Sequence, residues 1–482
     1  MKRRIAAAGL LMLSTVLSGC IPEKRVVWSP DGRRAALIGG DGLYVCNETG
    51  RLSERLAEAV EQVVWLSDSQ RLVAERTVDL STWEAVRTTI DAERVKGIKA
   101  GGERLRAEVL AHEGGFDDFE PQSLEELNAG EQAAAVLYLR DELSEGLPEK
   151  LGAKWTELED ISASARSFQA WTVGENSLEP GPVLAWALDG THGLTVSPDG
   201  RSMAYVERGG DDGARLYVVP VDGSAPPRLV DEQTTVFPAW SGDGRFLAYA
   251  VASGTLSGDK EKMELGVLVR RAVADADGGL LAPFGEVENL AGLVFSPETM
   301  VACLRDGRIL FATLEIQLPC TSKDMPQRMS LFAVDPDRQP TVQRVLPRQT
   351  QSEVADMMHR FQLSPDQRRV CVPGGNGEVT VLELATGRVW SVLGDDEVEK
   401  LRTLPTWRSC DELCLTVWVE KEGGNGRDEI VLAKVDWESG EVQRRVLSKD
   451  WPQEVVLGFL VDPEEGDKTE AAEGAEETPS ED

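Results

Sequence analysis

The chain has 482 residues, 41% apolar and 28% charged, with 83 acidic against 51 basic side chains. The formal charge of −32 at pH 7 argues against nucleic acid as a partner, because phosphate contact needs clustered Lys and Arg. It also gives no electrostatic pull towards anionic lipid headgroups. The length suits one large repeat-built domain or two to three ordinary ones.

At the N-terminus, Lys2, Arg3 and Arg4 precede an apolar run from Ile5 to Leu17, and Leu17, Ser18 and Gly19 lead to Cys20. The run is too short to span a bilayer. The pattern resembles a bacterial lipoprotein signal peptide with its lipobox. That resemblance implies a signal peptide over 1–19, cleavage before Cys20, a diacylglycerol on its sulfur and acylation of the new amine. The lipid would hold the mature chain on a membrane. The competing reading is an ordinary secretory signal peptide with a cysteine there by chance. Ile21 is not the aspartate associated with inner-membrane retention, which points to the outer membrane, facing the periplasm, if the cell is Gram-negative. Lys24 to Trp28 follow almost at once, so the first strand is expected close to the lipid. No later segment reaches transmembrane length.

A repeat then runs through the chain. Trp28, Ser29, Pro30, Asp31 and Gly32 precede the apolar run Ala35–Ile38. Ser197, Pro198, Asp199 and Gly200 precede Met203–Val206, and Trp240, Ser241, Gly242, Asp243 and Gly244 precede Phe246–Tyr249. Degenerate copies start at Trp65, Phe295, Leu363 (with Asp366) and Trp407. Each is a hairpin in physical terms: Pro fixes φ, Asp caps the turn and Gly takes the left-handed position. Second hairpins recur downstream, at Leu43–Cys46, Leu216–Val219, Val379–Leu382 and Val431–Lys434. Two hairpins per unit of forty or more residues read as propeller blades. The repeat resembles the PD40, or TolB-like, branch of WD40-like β-propellers, over most of 24–460. The expected fold is therefore all-β: a monomeric β-propeller of about seven four-stranded blades, with six or eight as the competing counts.

The interval between the second and third turns is too long for one blade. Residues 80–160 carry helical spacing and two capping-box patterns, at Ser81–Glu84 and Ser123–Glu126, and the helical run Leu124–Leu143 ends before Gly146 and Pro148. They read as a helical insertion in blade two. The propeller then divides into 20–79 before the insertion and 161–463 after it, with outer strands resuming near Ser167–Val173 and Val183–Leu188. Residues 323–350 read as a long connection in blade five. Glu454–Val461 is the last strand-like run, a candidate closing strand for the first blade. Residues 464–482 read as a disordered acidic tail.

Aligning the turns puts Ala36, Val73, Ala204, Ala248, Cys303, Cys371 and Cys414 at one small, apolar strand position, so these three cysteines are expected unpaired and buried. A pair among Cys46, Cys320 and Cys410 stays open. The turn aspartates Asp31, Asp199, Asp243 and Asp366 each cap their own hairpin in one reading and bind metal in the other, and no ligand spacing of a calcium loop supports the second.

No Gly-x-Ser-x-Gly elbow with a downstream His, Gly-rich phosphate loop or zinc spacing occurs, so no catalytic residue and no cofactor is assigned. The tryptophans Trp28, Trp65, Trp240 and Trp407 are expected to wedge between blades. Trp83 and Trp155, in or beside the insertion, are the candidate partner surface; the alternative is that they dock it on the propeller.

The sequence thus points to a non-catalytic, lipid-anchored protein-binding or scaffold module of the cell envelope. The TolB-like resemblance implies an envelope protein partner. Two alternatives stand beside it: a sensor lipoprotein binding a small molecule or cell-wall fragment at the propeller mouth, and a hydrolase or lyase using acidic residues at the axis.

Overall fold

The computed structural model describes residues 24–47, 52–116, 119, 121–174, 177–188, 190–208, 214–234, 237–257, 262–295, 299–314, 329–338, 342–345, 360–374, 377–394, 399–420 and 426–448. Cys20, Cys320, His359, the run 454–461 and the segment 464–482 lie outside them.

Apart from one helical segment, the described chain is strands joined by turns and loops. It forms six antiparallel sheets. The first holds β1 (Val26–Trp28), β2 (Ala35–Ile38) and β3 (Leu43–Cys46). The second holds β4 (Val60–Trp65), β5 (Arg71–Leu80), β6 (Ala163–Val173) and β7 (Leu178–Ala187).

The third sheet has eight strands. Its first part is β8 (Thr191–Val196), β9 (Ser202–Arg208), β10 (Ala214–Pro220) and β11 (Arg228–Thr234). Its second is β12 (Ala239–Trp240), β13 (Phe246–Ser257), β14 (Lys262–Ala272) and β15 (Val287–Phe295). A single register pair, Thr234 with Val251, joins the two parts.

Next come β16 (Val301–Cys303), β17 (Ile309–Leu314), β18 (Met329–Val334) and β19 (Gln343–Arg344), then β20 (Gln362–Leu363), β21 (Arg369–Pro373), β22 (Val379–Glu383) and β23 (Val389–Leu393). The last sheet holds β24 (Glu399–Leu401), β25 (Thr406–Trp407), β26 (Glu412–Glu420), β27 (Gly426–Val435) and β28 (Val442–Ser448).

The sheets are arranged as in a propeller. Leading strands touch from one to the next: β1 on β4, β4 on β8, β8 on β12 and β12 on β16. Side-chain donors tie the same ring together. Trp65 Nε1 donates to the Val27 carbonyl at 2.8 Å, Trp407 Nε1 to the Gln362 carbonyl at 3.1 Å, and Thr406 Oγ1 to the Val26 carbonyl at 2.8 Å. The last of these links the final described sheet to the first, across 380 positions of chain. Between neighbouring sheets lie separate apolar clusters, such as Trp28 with Cys414, Ile430 and Leu447, and Trp240 with Ala204 and Val206. The indoles preceding the turns therefore do wedge between units, where a large flat side chain fills the space between twisted sheets.

The repeat turns hold a common network. Ser29 Oγ donates to Asp31 Oδ1 at 2.6 Å, and the same serine-to-aspartate bond of 2.6 Å recurs at Ser197–Asp199, Ser241–Asp243, Ser364–Asp366 and Ser409–Asp411. In all but the last, the backbone N–H two residues after the aspartate donates back to it. Gly32, Gly200 and Gly244 sit at φ 70°, 70° and 72°, a region open to glycine at little cost.

One copy is misplaced by sequence. Phe295 ends β15, paired with Glu264, and does not open a unit. The turn that closes as the others do is Leu304–Gly307, with the Gly307 N–H donating to the Leu304 carbonyl at 3.0 Å. Cys303, paired with Ile309, therefore occupies the place of the wedge tryptophans and not the small strand position. Its Sγ lies 3.7 Å from the Ala239 carbonyl, the counterpart of the Trp65 contact to Val27. For Cys371 and Cys414 the alignment holds: their partners Gln362 and Thr406 match those of Ala36 and Ala248, and both are buried.

Cys46, Cys303, Cys371, Cys410 and Cys414 are all free. The expected long connection 323–350 contains β18 and β19. The outer edge of β3 is covered by the following segment, with bridges Leu43–Ala57 and Cys46–Leu52.

Between β5 and β6 run helices α1 (Trp83–Thr89), α2 (Ala92–Ala111), α3 (Ala129–Glu142), α4 (Leu147–Leu151) and α5 (Ala153–Glu157). Thr82, not Ser81, caps α1, accepting from Ala85 N. The second capping box belongs to Asn128 and Glu131; Ser123 lies in a short 3-10 turn, Gln122–Leu124, so α3 starts later than the sequence suggests. Pro148 opens α4 after the left-handed Gly146. The segment before α3 packs closely on α2 at Gly101, and the Ala-rich α3 itself at Gly102. A Cβ at Gly101 would stand 2.7 Å from Leu127 Cδ1, and one at Gly102 2.8 Å from Tyr138 Cδ1. No helix among the described residues is long and apolar enough to cross a membrane.

Candidate interaction face

The turns and the insertion occupy opposite ends of the sheets. Each second strand leaves its turn at one end, and β5 enters α1 only after ten residues, at the other. The two ends have different chemistry.

At the turn end neighbouring turns touch one another. Asp31 N donates to Ser69 Oγ at 3.2 Å, and a Cβ at Gly32 would stand 2.6 Å from the Arg408 carbonyl. Gly200 faces Ser67, and Gly244 faces Ser197 and Asp199. Each carboxylate is already engaged by its own hairpin. Partial burial alone would raise the Asp31, Asp243 and Asp366 carboxyls, but the serine hydroxyl and then the backbone N–H outweigh it and hold them below the usual range.

At the other end lie buried charges that join the insertion to the propeller. Arg94 of α2 reaches Glu207 of β9 with two bonds, Nη2 to Oε1 at 2.7 Å and Nη1 to Oε2 at 3.1 Å. The same guanidinium bonds Glu131 of α3 at 3.0 and 3.2 Å. Arg215 of β10 stands 3.4 Å from Glu131, and Leu188 N donates to Glu207 at 2.9 Å. Glu207 is fully buried. Burial opposes the charge on Arg94, but Glu207 and then Glu131 overcome it and raise its pKa. A bidentate pair with its remaining lone pairs satisfied is the geometry in which a buried ion pair persists.

Beside it, Glu75 of β5 accepts a hydrogen bond from the Thr191 hydroxyl of β8, and Arg166 of β6 lies 3.9 Å away. Arg166 also pairs with Glu61 and bonds Thr77. Glu75 is 1% exposed, its Oε2 has no partner, and burial pushes its carboxyl up to about 7. The adjacent His192, packed edge-on to Phe237 at 5.4 Å, has an unpartnered Nδ1 and is pushed down to about 4, first by burial and then by Arg208.

Of the two readings of Trp83 and Trp155, the packing matches docking of the insertion on the propeller, in one cluster with Leu80, Ala163 and Leu188. Trp83 is 1% exposed, in the insertion's core 4.8 Å from the Tyr138 ring, with Lys99 Nζ 5.9 Å from its own ring. It is a packing residue, because α1 is too short to stand without burying its one large apolar side chain. Trp155 is half-buried against the same cluster. The surface that α2 leaves open carries Lys96, Glu103, Arg104 and Leu110 instead.

Sequence reasoning passed over Arg94, Glu131, Glu207, Arg215, Glu75 and Arg166. The one signal available was a carboxylate inside an apolar strand run, as in Leu72–Glu75 and Tyr205–Glu207.

No protein-family model matches the chain, and no curated protein matches it. Among solved structures it is similar to TolB from Acinetobacter baumannii, at 12% identity and TM-score 0.36, covering 59% of this chain and 60% of that one. It is also similar to an oligogalacturonate lyase from Vibrio parahaemolyticus, at 14% identity and TM-score 0.36, covering 72% of this chain and 73% of that one. A third is an acylaminoacyl peptidase from Pyrococcus horikoshii, at 10% identity and TM-score 0.34, covering 59% of this chain and 48% of that one.

Proposed function

We propose that the chain is a lipid-anchored β-propeller of the cell envelope, built of seven units, that acts as a non-catalytic protein-binding or scaffold module. In this reading the eight-stranded sheet counts as two units. The anchor is lipid on Cys20, the compartment is the periplasmic face of the outer membrane in a Gram-negative cell, and the partner is an envelope protein.

The observation that carries the reading is the buried Arg94–Glu207–Glu131 junction. It spans the insertion and the next unit, so α2 is held on the propeller rather than tethered loosely to it. Its charges are spent on one another inside the protein, and what faces outwards is a fixed, mixed polar and apolar helix surface. A rigid scaffold presenting a loop or insertion is a common arrangement for recognition.

Purification of the full chain from detergent-solubilised envelope tests it. Leu110→Glu with Lys96→Glu on α2 is expected to remove co-purifying partners that Arg245→Glu on the turn end leaves in place. Loss with Arg245→Glu alone overturns the assignment.

A further inference from the structure

The turn end carries a feature at odds with the charge of the chain. A cavity of about 640 Å³ opens between the sheet of β16–β19 and that of β20–β23, and four arginines line it: Arg305, Arg308, Arg344 and Arg368. Its carboxylates are already engaged. Asp306 pairs with Arg308 at 2.7 Å. Asp366 accepts from Ser364 Oγ at 2.6 Å and from Arg368 N at 3.1 Å. Glu383 accepts from Thr386 and lies 3.9 Å from Arg369.

Arg305 is held across the groove, its Nη2 donating to the Pro365 carbonyl at 2.9 Å and its N to Gln367 Oε1 at 2.6 Å. Neither Arg305 nor Arg368 has a carboxylate within ion-pair distance among the described residues, and both are exposed.

We propose that this groove binds the chain's own acidic segment, residues 464–482. The segment carries nine carboxylates against one lysine. Glu464 follows Ser448, the end of β28, by sixteen positions, and an extended chain of that length reaches roughly 50 Å, enough to come back over the turn end.

The net charge of −32 repels the segment from the protein as a whole. At physiological salt, however, charges beyond about 8 Å are largely screened, so the local guanidinium cluster decides the contact. Tethering keeps the segment at an effective concentration on the order of millimolar, so weak ion pairs suffice. The segment would then cover the turn end and compete with any acidic partner there.

The test uses a labelled synthetic peptide of residues 464–482, read by fluorescence anisotropy. One protein is the full native chain. The other is the full chain with the nine acids of the segment changed to Gln or Asn. The neutralised chain is expected to bind the peptide at least tenfold more tightly than the native chain, and to lose at least tenfold between 50 and 500 mM salt.

Arg305→Gln with Arg368→Gln in the neutralised chain is expected to remove binding while the far-UV circular dichroism stays unchanged; if it changes, Arg368→Gln alone replaces the pair. Equal binding by native and neutralised chains overturns the proposal and makes the groove a site for an acidic partner in trans. Binding that survives the arginine substitutions, or no binding to either chain, overturns it as well.

Discussion

Arg94 and Glu207 stand 113 positions apart in the chain and share two hydrogen bonds, at 3.1 and 2.7 Å, inside the protein. Through them a helix inserted in one sheet is fastened to a strand of the next. Removing one partner leaves the other buried and unpaired, which costs about 3–5 kcal/mol. Arg94→Met is therefore expected to speed amide exchange across α2 and lower the midpoint of urea unfolding, whereas Arg94→Met with Glu207→Leu recovers much of the loss. A double variant as unstable as the single one contradicts this.

Glu75 and His192 pull stability in opposite directions as pH changes. The Glu75 carboxyl is pushed up to about 7 from 4.5, so between these values the folded state holds a proton that the unfolded chain has lost. Stability from this group is fully present below pH 4.5 and is lost as pH rises through 7. The His192 imidazole is pushed down to about 4 from 6.5, so stability falls as pH drops through that window. The two slopes largely cancel in the native chain. Glu75→Gln unmasks the histidine, giving a protein that loses stability in acid and gains roughly 3 kcal/mol above pH 7. His192→Gln gives the reverse slope. Chemical denaturation at pH 4.5, 6 and 8 reads both.

Gly32 closes the ring of turns. It sits at φ 70°, and a Cβ there would meet the Arg408 carbonyl at 2.6 Å. Gly32→Ala is expected to cost about 1–3 kcal/mol through strain in the left-handed region and that close approach. At Gly242 a Cβ meets nothing within 4 Å, and Gly242→Ala is expected to stay within about 0.5 kcal/mol. Thermal unfolding of the two variants side by side distinguishes them.

Burial pushes the Cys46, Cys303 and Cys414 thiols up to about 12 and raises Cys371 further. A thiol held protonated is a poor nucleophile. In the native protein at pH 8 these four should resist iodoacetamide, and all should react in guanidinium. Rapid native labelling of Cys371, read by peptide mass mapping, contradicts the packing assigned to its strand.

The repeat was legible because each turn is a local device: Ser and Asp two residues apart make the network, with Gly next in three of the five. Leu304–Gly307 escaped because Leu304 stands where those five have serine, while Phe295, which starts a look-alike of the motif in the sequence, ends β15. Counted from Phe295, Cys303 falls on a second strand, whereas it lies on the leading strand β16. The insertion was legible from helical spacing, but its true cap, Asn128 with Glu131, lay hidden behind the look-alike at Ser123. Of the charged junctions only the carboxylates Glu75 and Glu207 were legible, as acids inside apolar strand runs, and not their partners. Glu75 meets Thr191 across 116 positions and Arg94 meets Glu207 across 113, and no local pattern states which buried carboxylate will find which arginine.

The proposed role stands on α2 being the face that meets a partner. A photo-crosslinking residue placed at Leu110 or Glu103 in the full chain, in intact cells, tests it most directly, with the same residue at Arg245 on the turn end as the comparison. A discrete higher-mass adduct from the α2 positions and none from Arg245 is the expected result. Adducts from Arg245 alone would contradict the account.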